Sequence, residues 1–167
     1  AVPRIAGGVA TLAPPANGMA MLIRHDVPRA SVPDYERWLA RMLAAARPHT
    51  LRVLGPNCIG LVTPRLGVNA SFAHTDALAG SIAFVSQSGA LVTAVLDWAK
   101  SRRIGFSTMV SVGDRADVDF GDLIDHLASD SATRSILLYI ESIEAPRKFM
   151  SAARAAARNK PVILVKA

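Results

Sequence analysis

A regular alternation of apolar strands and amphipathic helices, from Ser81 to the last residue, constrains the fold more than any other feature. The strands are short and continuously apolar, and helical patterns separate them. In chain order the segments are "SIAFVS", "GALVTAVLDWAKS", "GFSTMVSVG", "FGDLIDHLASD", "SILLYIE", "APRKFMSAARAAARN" and "PVILVKA". Such alternation is typical of a parallel sheet covered on both faces. It predicts an α/β fold with a three-layer, doubly wound parallel sheet.

The first third of the chain has a less regular pattern. Residues 1–32 mix short apolar runs with Gly and Pro, and we expect one or two short strands and loops there. The stretch "DYERWLARMLAAAR" places its apolar side chains on one stripe and predicts a helix over 34–47. Asp34 is the expected cap and Pro48 the expected stop. "LRVLG" then predicts a short buried strand.

Composition narrows the class of protein. Of 167 residues, 51% are hydrophobic and 19% are charged, which is ordinary for a globular chain. The net charge of +6 is spread over many elements, which argues against nucleic acid and suits small anions. The single cysteine, the absence of a signal-peptide pattern and the lack of a membrane-length apolar run predict a cytoplasmic protein without a membrane contact. Because the chain stops directly after an apolar strand, we expect it to belong to something longer.

The turn Ser86-Gln87-Ser88-Gly89 is the first candidate site. It follows an apolar strand and opens a helix, so main-chain N–H groups and the helix dipole converge on it. That arrangement suits phosphate or another anion, and Gly89 permits close approach of a ligand. Ser88 as a plain N-cap, with Gly89 as a permissive turn residue, explains the pattern equally well. Neither a Walker loop nor a nucleophile elbow fits this sequence.

Carboxylates form two further candidates. Asp114, Asp117, Asp119, Asp122 and Asp125 are dense enough to bind a divalent cation, but the EF-hand order is missing. We expect capping and favourable charge at a helix start instead. Glu141 ends the strand "SILLYIE", where side chains of an open sheet face a ligand crevice, although a solvated strand end explains it too.

Histidine and cysteine add no clear chemistry. His25, His49, His74 and His126 have no metal-ligand spacing, so we predict surface or packing roles and no metal site. Cys58, in "GPNCIGLVTP", has no base or metal cluster nearby in sequence. We interpret that segment as a shaped turn rather than as thiol chemistry.

Taken in order, the motifs resemble the NDP-forming acyl-CoA synthetase superfamily, which includes ADP-forming acetyl-CoA synthetase and the succinyl-CoA synthetase α subunit. The resemblance covers roughly residues 50–167 and rests on these segments: "LRVLGPNCIGLVTP", "NASFA", "GSIAFVSQSGALVTAVLDWA", "GFSTMVSVGDRADVDFGDLIDHLASDSATRSILLYIESI" and "RKFMSAARAAARNKPVILVKA". These segments are most similar in sequence to the large bacterial members of the family, many of which carry a fused GNAT-type protein acetyltransferase domain.

The resemblance implies a domain plan. Residues 51–167 would be the flavodoxin-like domain of the succinyl-CoA synthetase type, and residues 1–50 the tail of a Rossmann-type CoA-binding domain. Family members form an acyl phosphate from acyl-CoA and phosphate, pass the phosphoryl group to a histidine, and then pass it to ADP in an ATP-grasp domain. The implied ligands are acyl-CoA, phosphate and ADP or ATP with Mg²⁺, with no tightly bound cofactor. A homo-oligomer is also among the partners that the resemblance implies.

The resemblance also implies residue roles. Ser86, Gln87, Ser88 and Gly89 would hold phosphate or the phosphohistidine, and Glu141 would orient that histidine. Asn57 and Cys58 would lie in a turn beside that site and the CoA domain. None of the histidines in this chain matches the phosphorylated one by motif, so we expect the chain alone to be inactive. Alternatives are an acyl-CoA-sensing domain of a protein lysine acetyltransferase, and a non-catalytic flavodoxin-like binding or assembly domain.

Overall fold

In the computed structural model, two sheets follow one another along the chain. The structure describes residues 4–6, 9–11, 19–21 and 32–167, with side chains from residue 35 onward. The first sheet has the order β1-β2-β3-β4, in which only β3 and β4 are parallel. Its strands are β1 (Arg4–Ala6), β2 (Val9–Thr11), β3 (Met19–Met21) and β4 (Arg52–Leu54). Most of the region for which we expected loops lies outside the described residues.

Helix α1 (Val32–Ala46) precedes β4 and packs beside it. Trp38, Met42 and Leu43 lie against a small buried cluster of Ala46 and Val53, as the apolar stripe predicted. The expected cap is wrong, because the helix begins before Asp34, which therefore lies inside the first turn. A 3₁₀ turn, Arg47–His49, ends the helix where Pro48 predicted a stop.

The second sheet has six strands in the order β10-β9-β7-β8-β5-β6. These strands are β5 (Gly60–Thr63), β6 (Val68–Ser71), β7 (Ala79–Ser86), β8 (Phe106–Ser111), β9 (Ser135–Ile140) and β10 (Val162–Lys166). β7 to β10 are mutually parallel, which confirms the predicted α/β class.

The sheet is mostly parallel, and its antiparallel pairs lie at one edge. β5 runs antiparallel to β8, and β6 runs antiparallel to β5. A 3₁₀ turn, Pro64–Leu66, joins these two strands, and Gly67 follows it at φ 64°. The two strands have only four residues each and lie among Gly, Pro and Asn, so their pattern resembles a loop.

Three helices complete a three-layer domain around this sheet: α2 (Gly89–Ser101), α3 (Phe120–Ser129) and α4 (Pro146–Ala157). Helix α2 buries Val92 and Leu96 against one face of the sheet, in a cluster with Phe84. Helices α3 and α4 cover the other face, where Val85 belongs to their core cluster. The bounds agree with the predicted segments to within about two residues because each helix has a clear apolar stripe.

β4 hydrogen-bonds to β3 rather than to the larger sheet, so the chain passes from one sheet to the next through Gly55–Ile59. The division into domains at residue 50 stays a prediction. No helix in the described part of the chain is long and apolar enough to cross a bilayer.

Candidate functional site

The carboxyl ends of three parallel strands meet at one edge of the larger sheet. Ser86, the last residue of β7, lies opposite Ser111 of β8 and Tyr139 of β9. The connections that follow these strands therefore lie side by side. The structure places the Ser86–Gly89 turn and Glu141 at this common edge, where ligands of open α/β sheets bind.

The turn after β7 is held from within by two hydroxyl groups. Ser86 is fully buried, and its Oγ donates to the carbonyl oxygen of Ser88 at 2.8 Å. Ser88 is the N-cap of α2, and its Oγ accepts from the N–H of Leu91 at 3.3 Å. Ser88 is therefore a cap, as one of the two interpretations held. Its hydroxyl proton takes no part in that cap, so it can still donate to a ligand.

Gly89 lets two other elements approach the start of α2. A Cβ at this position would lie 2.7 Å from Cγ1 and 2.9 Å from Cδ1 of Ile59, and 3.7 Å from Oγ of Ser111. Ser111 is fully buried, and its hydroxyl has no hydrogen-bond partner among the described residues. Sequence reasoning did not single out Ser111. Its register opposite Ser86 was the only signal, and pairing is not visible in the sequence.

Gln87 joins the turn after β7 to the loop after β9. Its main-chain N–H donates to the carbonyl of Tyr139 at 3.1 Å. Its side-chain Oε1 accepts from the N–H groups of Glu141 and Ser142 at 3.0 and 3.1 Å, and its Nε2 donates to Ser142 Oγ at 3.3 Å. Both ends of the amide are thus engaged within the protein. Glu141 is an exposed residue, and its main-chain N–H anchors it to Gln87.

Arg115 is a second residue that sequence reasoning missed. Its side chain is only 4% exposed, and its Nη2 donates to Ser142 Oγ at 3.0 Å and to Glu144 Oε1 at 2.8 Å. The guanidinium carbon lies 5.7 Å from the ring centre of Phe120. A signal existed, because Arg115 is the only Lys or Arg in the acidic segment 113–125.

The segment Gly55–Asn57 docks on the connection after β8. The N–H of Asp114 donates to the carbonyl of Pro56 at 2.8 Å, and Asn57 Nδ2 donates to Asp114 Oδ1 at 3.2 Å. Gly113, at φ 55°, permits this contact, since a Cβ there would lie 2.1 Å from the carbonyl oxygen of Pro56. Asn57 therefore lies against Asp114, and Ile59 is the residue of this segment that touches Gly89.

Cys58 is buried in the core cluster beneath α3 and α4. Its Sγ lies 3.7 Å from the carbonyl oxygen of Leu54. Burial raises the pKa of the Cys58 thiol to about 12, so the thiolate is scarce at neutral pH. A buried thiol with a raised pKa favours a packing role over thiol chemistry, and the functional role of the turn stays a prediction.

The acidic segment serves the start of α3. Asp119 is the N-cap and accepts from the N–H of Asp122, while Asp122 accepts from the N–H of Asp119. Lys148 Nζ lies 3.0 Å from Asp119 and 2.6 Å from Asp122, and Arg52 pairs with Asp117 and Asp122. The capping interpretation is confirmed. Across residues 35–167, no group of three potential ligands is arranged for a metal ion.

The pKa of Asp122 reflects these contacts. Burial opposes its ionisation, but the hydrogen bonds from Lys148 and from the N–H of Asp119, with the charges of Arg52 and Lys148, outweigh that effect. The pKa of Asp122 therefore lies below its ordinary value. The carboxylate is committed to α3 and its two cations.

The histidines that the structure describes are exposed, as expected. His74 Nε2 lies 2.8 Å from Asp97 Oδ1, and His49 and His126 are exposed. His25 lies outside the described residues.

These features define a class: an α/β domain with a mostly parallel six-strand sheet and a hydroxyl-capped helix start at the sheet's carboxyl edge. The family described as "Succinyl-CoA ligase like flavodoxin domain" matches residues 79–167. The ADP-forming acetate–CoA ligase I of Archaeoglobus fulgidus is 42% identical over 126 residues, which are 75% of this chain and 18% of that protein. The α subunit of ADP-forming acetate–CoA ligase I from Pyrococcus furiosus is 42% identical over 127 residues, 76% of this chain and 28% of that subunit.

A solved structure shows the same fold. It is the dinucleotide-forming acetyl-coenzyme A synthetase 1 of Ca. Korarchaeum cryptofilum in complex with phosphate and ADP, with a TM-score of 0.81 at 35% identity. The likeness covers 90% of this chain and 32% of that one.

The chain therefore belongs to the NDP-forming acyl-CoA synthetase family, and it carries the succinyl-CoA ligase-like flavodoxin domain. It spans less than a third of the length of these relatives.

Proposed function

We propose that this chain is the phosphate-handling domain of a longer ADP-forming acyl-CoA ligase. In the proposed reaction, phosphate displaces CoA from an acyl-CoA and yields an acyl phosphate. The phosphoryl group then moves to a histidine outside this chain and from there to ADP. Acetyl-CoA is the first substrate to test, because the relatives named above are acetate–CoA ligases.

The start of α2 is the observation that carries this proposal. Its first turn contains no acidic residue, and the Ser88 hydroxyl retains a proton to donate. The buried and unpartnered Oγ of Ser111 lies beside Gly89. A helix dipole of about half a positive charge and these hydroxyls favour a small anion such as phosphate. The relative from Ca. Korarchaeum cryptofilum was solved with phosphate, which supports the choice of anion.

Glu141 has a separate role in the proposal. Its main-chain N–H donates to the side chain of Gln87, the neighbour of Ser88, which supports a place for Glu141 on the same sheet edge as the proposed anion site. A carboxylate in that position can accept the N–H of an imidazole and orient it for phosphoryl transfer. Asn57 and Cys58 take no direct part in this scheme; their segment holds Ile59 against Gly89.

The acyl-CoA-sensing and assembly alternatives stay hypotheses. The sensing alternative requires fusion to an acetyltransferase domain, the assembly alternative requires a domain without a ligase role, and no contact in the described residues favours either one. CoA-binding and ATP-grasp domains are the partners that the catalytic proposal requires.

Two measurements test the proposal. In the 167-residue chain, titration with sodium phosphate should shift the amide resonances of Gly89 and Ala90 in a saturable way. The complete gene product should form ATP from acetyl-CoA, phosphate and ADP with Mg²⁺, and the isolated chain should form none. Absence of phosphate-dependent shifts together with no ATP formation by the complete protein would refute the proposal.

A further inference from the structure

We propose that Arg115 is the positioning residue for the loop 141–144, and that it sets the place of Glu141 in phosphoryl transfer. This inference rests on the proposed function of the same sheet edge. Arg115 follows β8, whereas the loop follows β9, so the guanidinium ties two neighbouring connections together.

The geometry of Ser142 shows how the contact works. Its Oγ accepts from Arg115 Nη2 at 3.0 Å and from Gln87 Nε2 at 3.3 Å. Two donors occupy the acceptor positions of one hydroxyl, so the hydrogen of Ser142 points away from both. The Ser142 hydroxyl, on the residue next to Glu141, can therefore donate only in a direction away from Arg115 and Gln87.

Arg115 and Gln87 hold the loop at complementary points. The side-chain oxygen of Gln87 accepts hydrogen bonds from the main-chain N–H groups of Glu141 and Ser142. Arg115 donates hydrogen bonds to the side chains of Ser142 and Glu144. The connections after β7, β8 and β9 thus form one hydrogen-bonded unit. A loop held on both its main chain and its side chains presents the Glu141 carboxylate in a narrower range of positions.

Stability alone does not account for this arrangement. The Arg115 side chain is 4% exposed, and the Glu144 side chain that it pairs with is 68% exposed. Within the part of the chain that the structure describes, Arg115 Nη1 has no hydrogen-bond partner. A buried cation with one solvated partner loses its hydration and recovers only part of that loss. An unbranched apolar side chain beside Phe120 should therefore keep the fold, while leaving the loop without its anchor.

Arg115→Met in the complete gene product is the central test. Met keeps the Cβ and an unbranched apolar chain like the aliphatic part of Arg, so the left-handed backbone at residue 115, with φ 55°, is equally demanding in both. Amide hydrogen exchange of Glu141 and Ser142 should speed up about tenfold. The kcat for ATP formation should fall about tenfold, with the KM for phosphate within about twofold, because the anion site at α2 is untouched. The melting temperature should shift by less than about 3 °C.

Two further variants complete the design. Arg134→Met removes an exposed arginine beside the opposite end of β9 and should change neither exchange nor kcat. Arg115→Lys offers one ammonium group where the guanidinium serves two acceptors, so exchange and kcat should fall between wild type and Arg115→Met. If Arg115→Met does not fold, Arg115→Lys and Ser142→Ala carry the test, and both should show faster exchange at Glu141.

Unchanged exchange at Glu141 and Ser142 in these variants would overturn the inference. So would a loss of kcat that is matched by equal losses in phosphate affinity and melting temperature, since that pattern indicates general damage. If the wild-type protein forms no ATP, the proposed function fails by itself. The exchange rates then decide whether Arg115 holds the loop.

Discussion

Helices α2 and α3 begin at the same edge of the same sheet, yet their first turns are built in opposite ways. Helix α2 is capped by the neutral hydroxyl of Ser88 and has no acidic residue in its first turn. Helix α3 is capped by Asp119 with Asp122 in a reciprocal capping box, and Arg52 and Lys148 balance these carboxylates. Both helices present an equivalent dipole, but only α3 neutralises its own.

The difference shows which helix start is available to a ligand. At α3 the protein supplies the anion, and the cations around it are already paired. At α2 the protein supplies hydroxyl groups and N–H donors but no negative charge. We therefore propose that an external anion gains at α2 what Asp119 and Asp122 already gain at α3.

The strongest way to break this contrast is to give α2 the cap of α3. Ser88→Asp should weaken phosphate binding by roughly 700-fold, because two like charges about 4 Å apart near a surface repel by about 4 kcal/mol. The melting temperature should stay the same or rise, since Asp is an equally good N-cap and its charge suits the dipole. Calorimetry with sodium phosphate measures the first effect and thermal unfolding the second.

Ala94→Asp is the matched control, since it adds the same charge at an exposed position further along α2. It should leave phosphate affinity within about threefold of wild type. Equal phosphate affinity in Ser88→Asp and wild type would show that the anion binds elsewhere.

Removing the cap of α3 sharpens the comparison from the other side. Asp119→Ala should lower the free energy of unfolding by about 1–2 kcal/mol, because it exposes orphan N–H groups and leaves Lys148 with one carboxylate fewer. Phosphate affinity should not change. Urea unfolding and the same calorimetric titration measure both quantities. A parallel loss of phosphate binding would mean that the two helix starts are not independent.

The smallest effect is a pH dependence that only α3 should show. Because the folded pKa of Asp122 lies below its ordinary value of 3.8, its contribution to stability is complete above that value. It is lost as the pH falls through the lower, folded pKa. Asp122→Asn should therefore be less stable than wild type by about 1 kcal/mol near neutral pH, with the difference shrinking below about pH 4. Urea unfolding of both proteins at several pH values tests this, and a constant difference would contradict it.

Hydrophobic periodicity was sufficient to predict most of the fold. An unambiguous apolar pattern marks helices α2, α3 and α4 and strands β7 to β10. The bounds of these elements, and the parallel direction of the strands, therefore followed from local sequence. Strands β5 and β6 did not, because four-residue strands beside Gly, Pro and Asn look like loops until a neighbouring strand pairs with them. The start of α1 was misplaced because Asp34 is only one of several residues that suit a helix start.

Some residues of the candidate site were likewise predictable from the sequence, and others were not. Ser88 and Gly89 were predicted from their place between a strand and a helix, and Glu141 from its place at a strand end. Ser111 and Arg115 were not predicted, because their importance depends on burial and on partners 22 and 27 residues away in sequence at Gly89 and Ser142.

The sequence by itself determined the order of strands and helices, the family resemblance and the neutral cap of α2, since each depends on residues close together in the chain. Tertiary structure alone decided that Cys58 is a core residue, that Ser111 lies beside Gly89, and that Arg115 binds the loop carrying Glu141. Burial and hydrogen bonding between distant segments arise only when the sheet brings its strand ends to one edge, and no local pattern records them.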